Sequence, residues 1–131
     1  MKKIELKLTN IARGSLDELK LDYEQFLRHW RMNEWLNTDP RRKELVSQRC
    51  ANADQLAEWV KTLYDRDYPR NSISKRTAYA EITANAMIVL TGVTIALLNR
   101  QIKALSTDFE DNGGFTERMF RVRKNIKRKN K

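Results

Sequence analysis

One cysteine, one histidine, two prolines and four glycines in 131 residues leave little room for several kinds of protein. With Cys50 alone, no intramolecular disulfide and no cysteine-rich metal site can form, so a reducing compartment is the natural setting. Scarce Gly and Pro argue against a turn-rich sheet protein and favour helices. His29 has no Cys or Glu partner at metal-ligand spacing, and reads as a surface or half-buried helix residue. Cys50 reads as a small core residue. The opening MKKIELKLTN carries basic residues with no apolar stretch behind them, unlike a secretory signal, and a cytoplasmic protein is expected.

Catalytic patterns are missing as well. No Ser-His-Asp set can be assembled, and Gly113-Gly114 lacks the strand and Lys of a phosphate-cradling loop. Asp17, Glu18, Asp22 and Glu24 interleave with Leu16, Leu19, Leu21 and Tyr23, as the solvated faces of an amphipathic helix do, with no Glu-x-x-His pair beside them. A non-enzymatic protein is expected, with no cofactor, no metal and no small-molecule substrate.

What the chain does have is helical periodicity. Ile4, Leu8, Ile11, Leu19, Tyr23, Phe26 and Trp30 recur at spacings of three, four or their sums, which predicts a first long helix from about Lys3 to Met32. Gly14 and Ser15 interrupt that stripe where a small residue allows a neighbouring helix close. Asp39-Pro40 supplies a cap and a first-turn proline, so a second helix should begin there and run to about Tyr64. Its apolar positions are Val46, Cys50, Ala53, Leu56, Val60 and Leu63, and Asn52 and Asp54 allow it to split in two. Tyr68-Pro69-Arg70-Asn71-Ser72 reads as the main loop.

The longest pattern runs from Ser74 or Lys75 to Thr107. Its centre, Ile82 to Asn99, holds no charge, so this helix is expected to be buried on most sides. Eighteen uncharged residues also approach the length of a membrane span. Asn85, Thr83, Thr91, Thr94, Asn99 and Gly92 dilute the hydrophobicity, and a buried bundle helix accounts for the same letters without lipid. The fold class expected is therefore all-α, an antiparallel bundle of three to four helices over residues 1–110. A basic C-terminal segment follows over 111–131.

That segment is where the charge lies. Arg118, Arg121, Arg123, Lys124, Lys127, Arg128, Lys129 and Lys131 stand against Glu117, which puts +7 of the formal +9 into Phe115 to Lys131. A stripe of this sign attracts RNA or DNA through released counterions, gripping phosphates with little sequence information. A solubilising terminus is the plainer alternative. Asp111-Asn112-Gly113-Gly114 turns the chain and Thr116 can cap a last helix, on which Phe115, Met119, Val122 and Ile126 share one side. Those four are the candidate partner-docking residues, and the eight cations are the candidate nucleic-acid-binding residues.

The segments ELKLTNIARGSLDELKLDYEQFLRHW, ANAMIVL, LLNRQIKAL and GGFTERMFRVR together resemble a bacterial family of small four-helix-bundle proteins. These are related to the proteins encoded by intervening sequences of large-subunit ribosomal RNA genes, in the subgroup with a C-terminal suffix region. IARGSLDEL, Ile11 to Leu19, is similar to that family's third helix, Ala84 to Leu105 to its fourth, and Gly113 to Arg123 to its suffix signature. The resemblance implies a non-enzymatic helical protein, often oligomeric, with pentameric relatives. A distantly similar bundle assists a reverse transcriptase and its RNA in diversity-generating retroelements. Two helices that usually precede the ARGSLDEL-like helix have no counterpart here, so a shortened chain, or other subunits supplying the missing packing surface, is expected.

The resulting expectation is a self-associating helical protein that binds RNA, in preference to DNA, through its basic C-terminal segment. The faces expected to self-associate lie around Gly14, Ser15 and the 82–98 helix. The rival is a structural module whose last helix docks on a partner protein.

Overall fold

The structure is a computed structural model that describes residues 2–68 and 73–108. Among these residues it is entirely helical: α1 (Lys2–His29), α2 (Pro40–Gln48), α3 (Ala53–Asp67) and α4 (Lys75–Asp108). The boundary expected between residues 110 and 111 lies outside the described residues. The chain divides into two compact units. One is Leu16–Thr94, and the other joins Met1–Ser15 to Ile95–Lys131.

Each helix end has a local cause in the sequence. At the end of α1, Arg31 takes a left-handed φ of 55°. The Arg31 N–H then reaches Arg28 O at 3.2 Å and the Met32 N–H reaches Leu27 O at 2.8 Å. This paired pattern absorbs carbonyls that the helix leaves unsatisfied, and it folds Met32 back onto Leu27. The helix therefore stops three residues before Met32, where apolar spacing alone placed its end.

The Asp39-Pro40 start is as expected: the Asp39 carboxylate accepts the Arg41 N–H at 2.9 Å and Pro40 opens α2. Of the two alternatives for the stretch that follows, the split occurs. Arg49 turns left-handed at φ 50° and ends α2. Asn52 Oδ1 then accepts the Gln55 N–H at 2.9 Å to start α3, while Gln55 Oε1 accepts the Ala51 N–H at 2.7 Å. The break shifts the helical phase. Val46 and Ala53 consequently face solvent, and the core is drawn from Leu45, Trp59, Val60 and Leu63. For α4, the Ser74 hydroxyl accepts the Thr77 N–H at 3.1 Å.

Within Leu16–Thr94, the main core joins Trp35, Leu45, Trp59, Val60 and Leu63 to Ile82, Ala86 and Val89 of α4, with Cys50 packed at its edge. A second cluster sets Leu27 against Ala84 and Ile88. Here α4 is enclosed, and its residues from Ala78 to Thr91 include eight buried positions. The expectation that the whole 82–99 stretch is buried on most sides fails beyond this point. Leu97 is 53% exposed, and Thr94, Ala96 and Asn99 are exposed too. In the other unit only residues 2–15 of α1 are described alongside 95–108, so α4 buries a stripe there. That stripe is the half-buried row Ile95, Leu98, Ile102 and Leu105, at spacings of three and four. By length and composition α4 is also the one described helix apolar enough to cross a membrane, with 39% of its most apolar window buried.

Candidate functional site

The sequence marks two sets of site residues, and both lie outside the described residues. These are the cations Arg118, Arg121, Arg123, Lys124, Lys127, Arg128, Lys129 and Lys131, and the apolar set Phe115, Met119, Val122 and Ile126. Among the described residues, the feature with interaction chemistry is the outer side of α1.

Seven apolar residues define the expected stripe on that helix, and none of them is fully buried. Ile4, Leu8 and Ile11 are 56%, 60% and 56% exposed, and Trp30 is 61% exposed. Leu19 and Phe26 are exposed as well, with Tyr23 half-buried. The inward side of α1 is a different row. Leu6, Thr9, Arg13, Leu16, Lys20, Tyr23 and Leu27, at alternating spacings of three and four, are half-buried or, at Leu27, fully buried. Thr9, Arg13 and Lys20 interrupt the apolar lettering of that row, so hydrophobic spacing does not mark the inward face. Arg13 Nη1 lies 3.5 Å from Asn99 Oδ1 across it.

Gly14 was expected to admit a neighbouring helix. A Cβ built there meets nothing within 4 Å, and the same holds for Gly92. Both glycines are open, so neither marks a close intramolecular contact. Gly14 and Ser15 instead sit on the exposed side of α1.

Within Leu16–Thr94 an open groove of about 460 Å³ runs between α1 and α4. Leu19, Tyr23 and Phe26 form one shoulder, and Ala80, Thr83 and Ala84 form the floor and far side. Small residues on α4 create the depression, and large ones on α1 bound it. Asp22 is the charged residue at its edge. A second, wider cleft of about 640 Å³ lies between α2 and α3, lined by Glu44, Asp54, Glu58, Cys50 and Trp59 among others. Its charge is partly neutralised, since Arg66 donates to both Glu44 oxygens at 2.7 and 3.1 Å. No group of three His, Cys, Asp or Glu residues among the described residues can hold a metal ion.

The segment between α1 and α2 is pinned from below by α4. Asn85, 1% exposed, accepts the Trp35 N–H at 2.7 Å through Oδ1 and donates to Asn33 O at 2.8 Å and Glu81 O at 2.9 Å through Nδ2. All three of these bonds go to backbone groups. Glu81 extends the network, accepting the Asn33 N–H at 3.3 Å and the Tyr68 hydroxyl at 2.6 Å. Burial, then the bond to Glu81, pushes the Tyr68 phenol well above its usual range. Above the segment, the Arg41 guanidinium lies 4.7 Å over the Trp35 ring and binds both Asp39 oxygens at 2.9 and 2.7 Å. That pairing holds the Asp39 carboxyl below the usual carboxylate range. The network reads as scaffold, because Asn85 spends both of its side-chain polar atoms on backbone groups and Glu81 and Asp39 each hold a backbone N–H as well.

His29 is exposed and meets Trp30 edge-on at 5.1 Å. Asp17, Glu18 and Asp22 are exposed, and Glu24 is half-buried. No protein-family model, curated protein or solved structure matches the chain.

Proposed function

We propose that this chain is a non-enzymatic, cytoplasmic helical-bundle protein that self-associates through the outer face of α1 and binds RNA, in preference to DNA, through its basic C-terminal segment. The observation that carries the reading is the uncovered apolar row of α1. Ile4, Leu8 and Ile11 are each more than half exposed on one side of α1, and an uncovered apolar row of this kind marks an interaction surface. Within Leu16–Thr94, Leu27 packed against Ala84 and Ile88 supports a bundle in which α1 pairs with α4. The resemblance of Ile11–Leu19, Ala84–Leu105 and Gly113–Arg123 to the ribosomal-intervening-sequence family supports a non-enzymatic oligomer that needs no cofactor. It also accounts for an α1 face left to be covered by other subunits.

Nucleic-acid binding rests on charge. The +7 of Phe115 to Lys131 would neutralise several phosphates at once, giving affinity that is electrostatic and steeply salt-dependent. Packing within the protein is the reading favoured for α4 over a membrane span, since Asn85 spends its side chain on the Asn33 and Trp35 backbone. The alternative function is a structural module whose C-terminal helix docks on a partner protein through Phe115, Met119, Val122 and Ile126. The α1–α4 groove is the observation that favours such docking. Light scattering together with an RNA titration of the full chain and of a chain ending at Phe120 tests the proposal.

A further inference from the structure

We propose that the exposed end of α1, centred on Trp30, is a stacking platform for an unpaired base of single-stranded RNA. The inference rests on the RNA-binding part of the proposed function and adds to it a contact of different chemistry, outside the C-terminal segment.

Of the three tryptophans, two belong to the core. Trp35 and Trp59 are 3% and 7% exposed and meet edge to face at 6.2 Å. Trp30 is 61% exposed. An uncovered indole is a large apolar face left in water, and a nucleobase is a flat partner that covers it without a deep pocket. The position of the ring is fixed by its own chain. The Trp30 N–H bonds to Phe26 O at 3.1 Å, the left-handed turn at Arg31 follows, and Asn85 then holds the backbone of Asn33 and Trp35. Phe26 lies 6.5 Å from the indole and His29 meets it edge-on at 5.1 Å, so the ring is braced by its helix while more than half of it stays open.

The surroundings select RNA among the partners that an exposed tryptophan could serve. From Gln25 to Asn33 there is no carboxylate, while Arg28, His29 and Arg31 stand within two residues of Trp30 and are exposed. Neither guanidinium enters an ion pair among the described residues. Two free cations beside an aromatic ring match a base whose neighbouring phosphates carry the opposite charge. A lipid surface would require exposed aliphatic side chains in this stretch, and its two turn inward: Leu27 is 1% exposed and Met32 packs against it. Duplex DNA offers no free base face, whereas a single strand can splay a base out onto a ring.

Because the other two tryptophans are buried, Trp30 is its own reporter. Acrylamide should quench the emission of the full chain, and Trp30→Phe should remove most of that quenching. Titration with a single-stranded RNA decamer should quench the parent and shield it from acrylamide, with no such change in Trp30→Phe. Anisotropy of the same RNA carrying a label should show binding weakened by about fivefold or more in Trp30→Ala, with the salt slope of the parent and unchanged helicity. Trp30→Phe, whose ring still stacks, should bind nearly as the parent does. RNA bound with no change in Trp30 emission, or bound equally by Trp30→Ala, overturns the platform and leaves the C-terminal grip in place. A parent chain that binds no RNA overturns both. Phosphatidylserine vesicles that shift the emission to the blue where RNA does not would give this surface to lipid, and shielding that grows with protein concentration alone would give it to a second copy; either result overturns the proposal. Full affinity and quenching in a chain ending at Phe120 would uphold the platform and refute the C-terminal reading.

Discussion

Asn85, 1% exposed, accepts through Oδ1 the backbone N–H of Trp35 at 2.7 Å, fifty residues away in the chain, and so fixes the segment between α1 and α2 to the longest helix. Replacing Asn85 with Ala would leave the buried Trp35 N–H and the part-buried carbonyl of Asn33 without this partner. Each such loss costs about 1–3 kcal/mol. Asn85→Ala should therefore destabilise the fold by about 2–4 kcal/mol in urea denaturation. Thr94→Ala, at an exposed position of the same helix, should stay within about 0.5 kcal/mol.

Two paired groups make stability depend on pH, with opposite signs. The Asp39 carboxyl is held low in the folded chain, chiefly by its bonds to Arg41, and titrates near 3.9 when unfolded. Its contribution is present above about pH 3.9 and is lost as pH falls through the lower folded value. Tyr68 is the reverse. Its folded pKa is raised, so its contribution is complete below the unfolded value of about 10 and disappears as pH climbs through the folded value. Denaturation midpoints measured from pH 2 to 11 should fall at both ends. Asp39→Asn should flatten the acid branch and Tyr68→Phe the alkaline one, each leaving the other branch in place.

The exposed row on α1 predicts variants that alter assembly without altering the fold. Leu8→Glu with Ile11→Glu places two charges where apolar contact is proposed, on side chains 60% and 56% exposed in the single chain. Burying each of the two original side chains is worth about 1.5–3 kcal/mol, so association should weaken by about a hundredfold or more. Light scattering over a concentration series reads the loss. Circular dichroism should show the helical content retained.

Much of this architecture is legible in the letters, and the parts that are not share a cause. Asp39-Pro40 announces α2 because capping and proline geometry are local. Asn52 is readable as a possible start for the same reason, although choosing the split over one long helix needed Arg49, an arginine in a left-handed turn that no propensity favours. Asn85 looks like a residue that merely dilutes an apolar run. Its place in the row Ala78, Ile82, Asn85 and Val89, stepping by four, three and four, was the available sign that it points inward. On α1 the letters mark the outer stripe and leave the inward row unmarked, because Arg13 and Lys20 lie on the inward row while Ile4, Leu8 and Ile11 lie outside. Periodicity finds the apolar face of a helix, and whether its own chain or another covers that face is decided by tertiary packing. The candidate site is legible as charge alone, since eight cations within 17 residues are visible without any structure.

The most direct measurement is a titration of the full chain into labelled single-stranded RNA and into duplex DNA at several salt concentrations, beside a chain ending at Phe120. That truncation removes seven of the eight C-terminal cations, Arg121 to Lys131. Neutralising seven phosphates of a single strand gives a slope of about −5 in log affinity against log salt. The account predicts a slope approaching that value for the full chain, tighter binding to RNA than to DNA, and loss of most of the affinity and of the salt dependence on truncation. Binding that is absent, or that survives truncation with its salt slope unchanged, would contradict it.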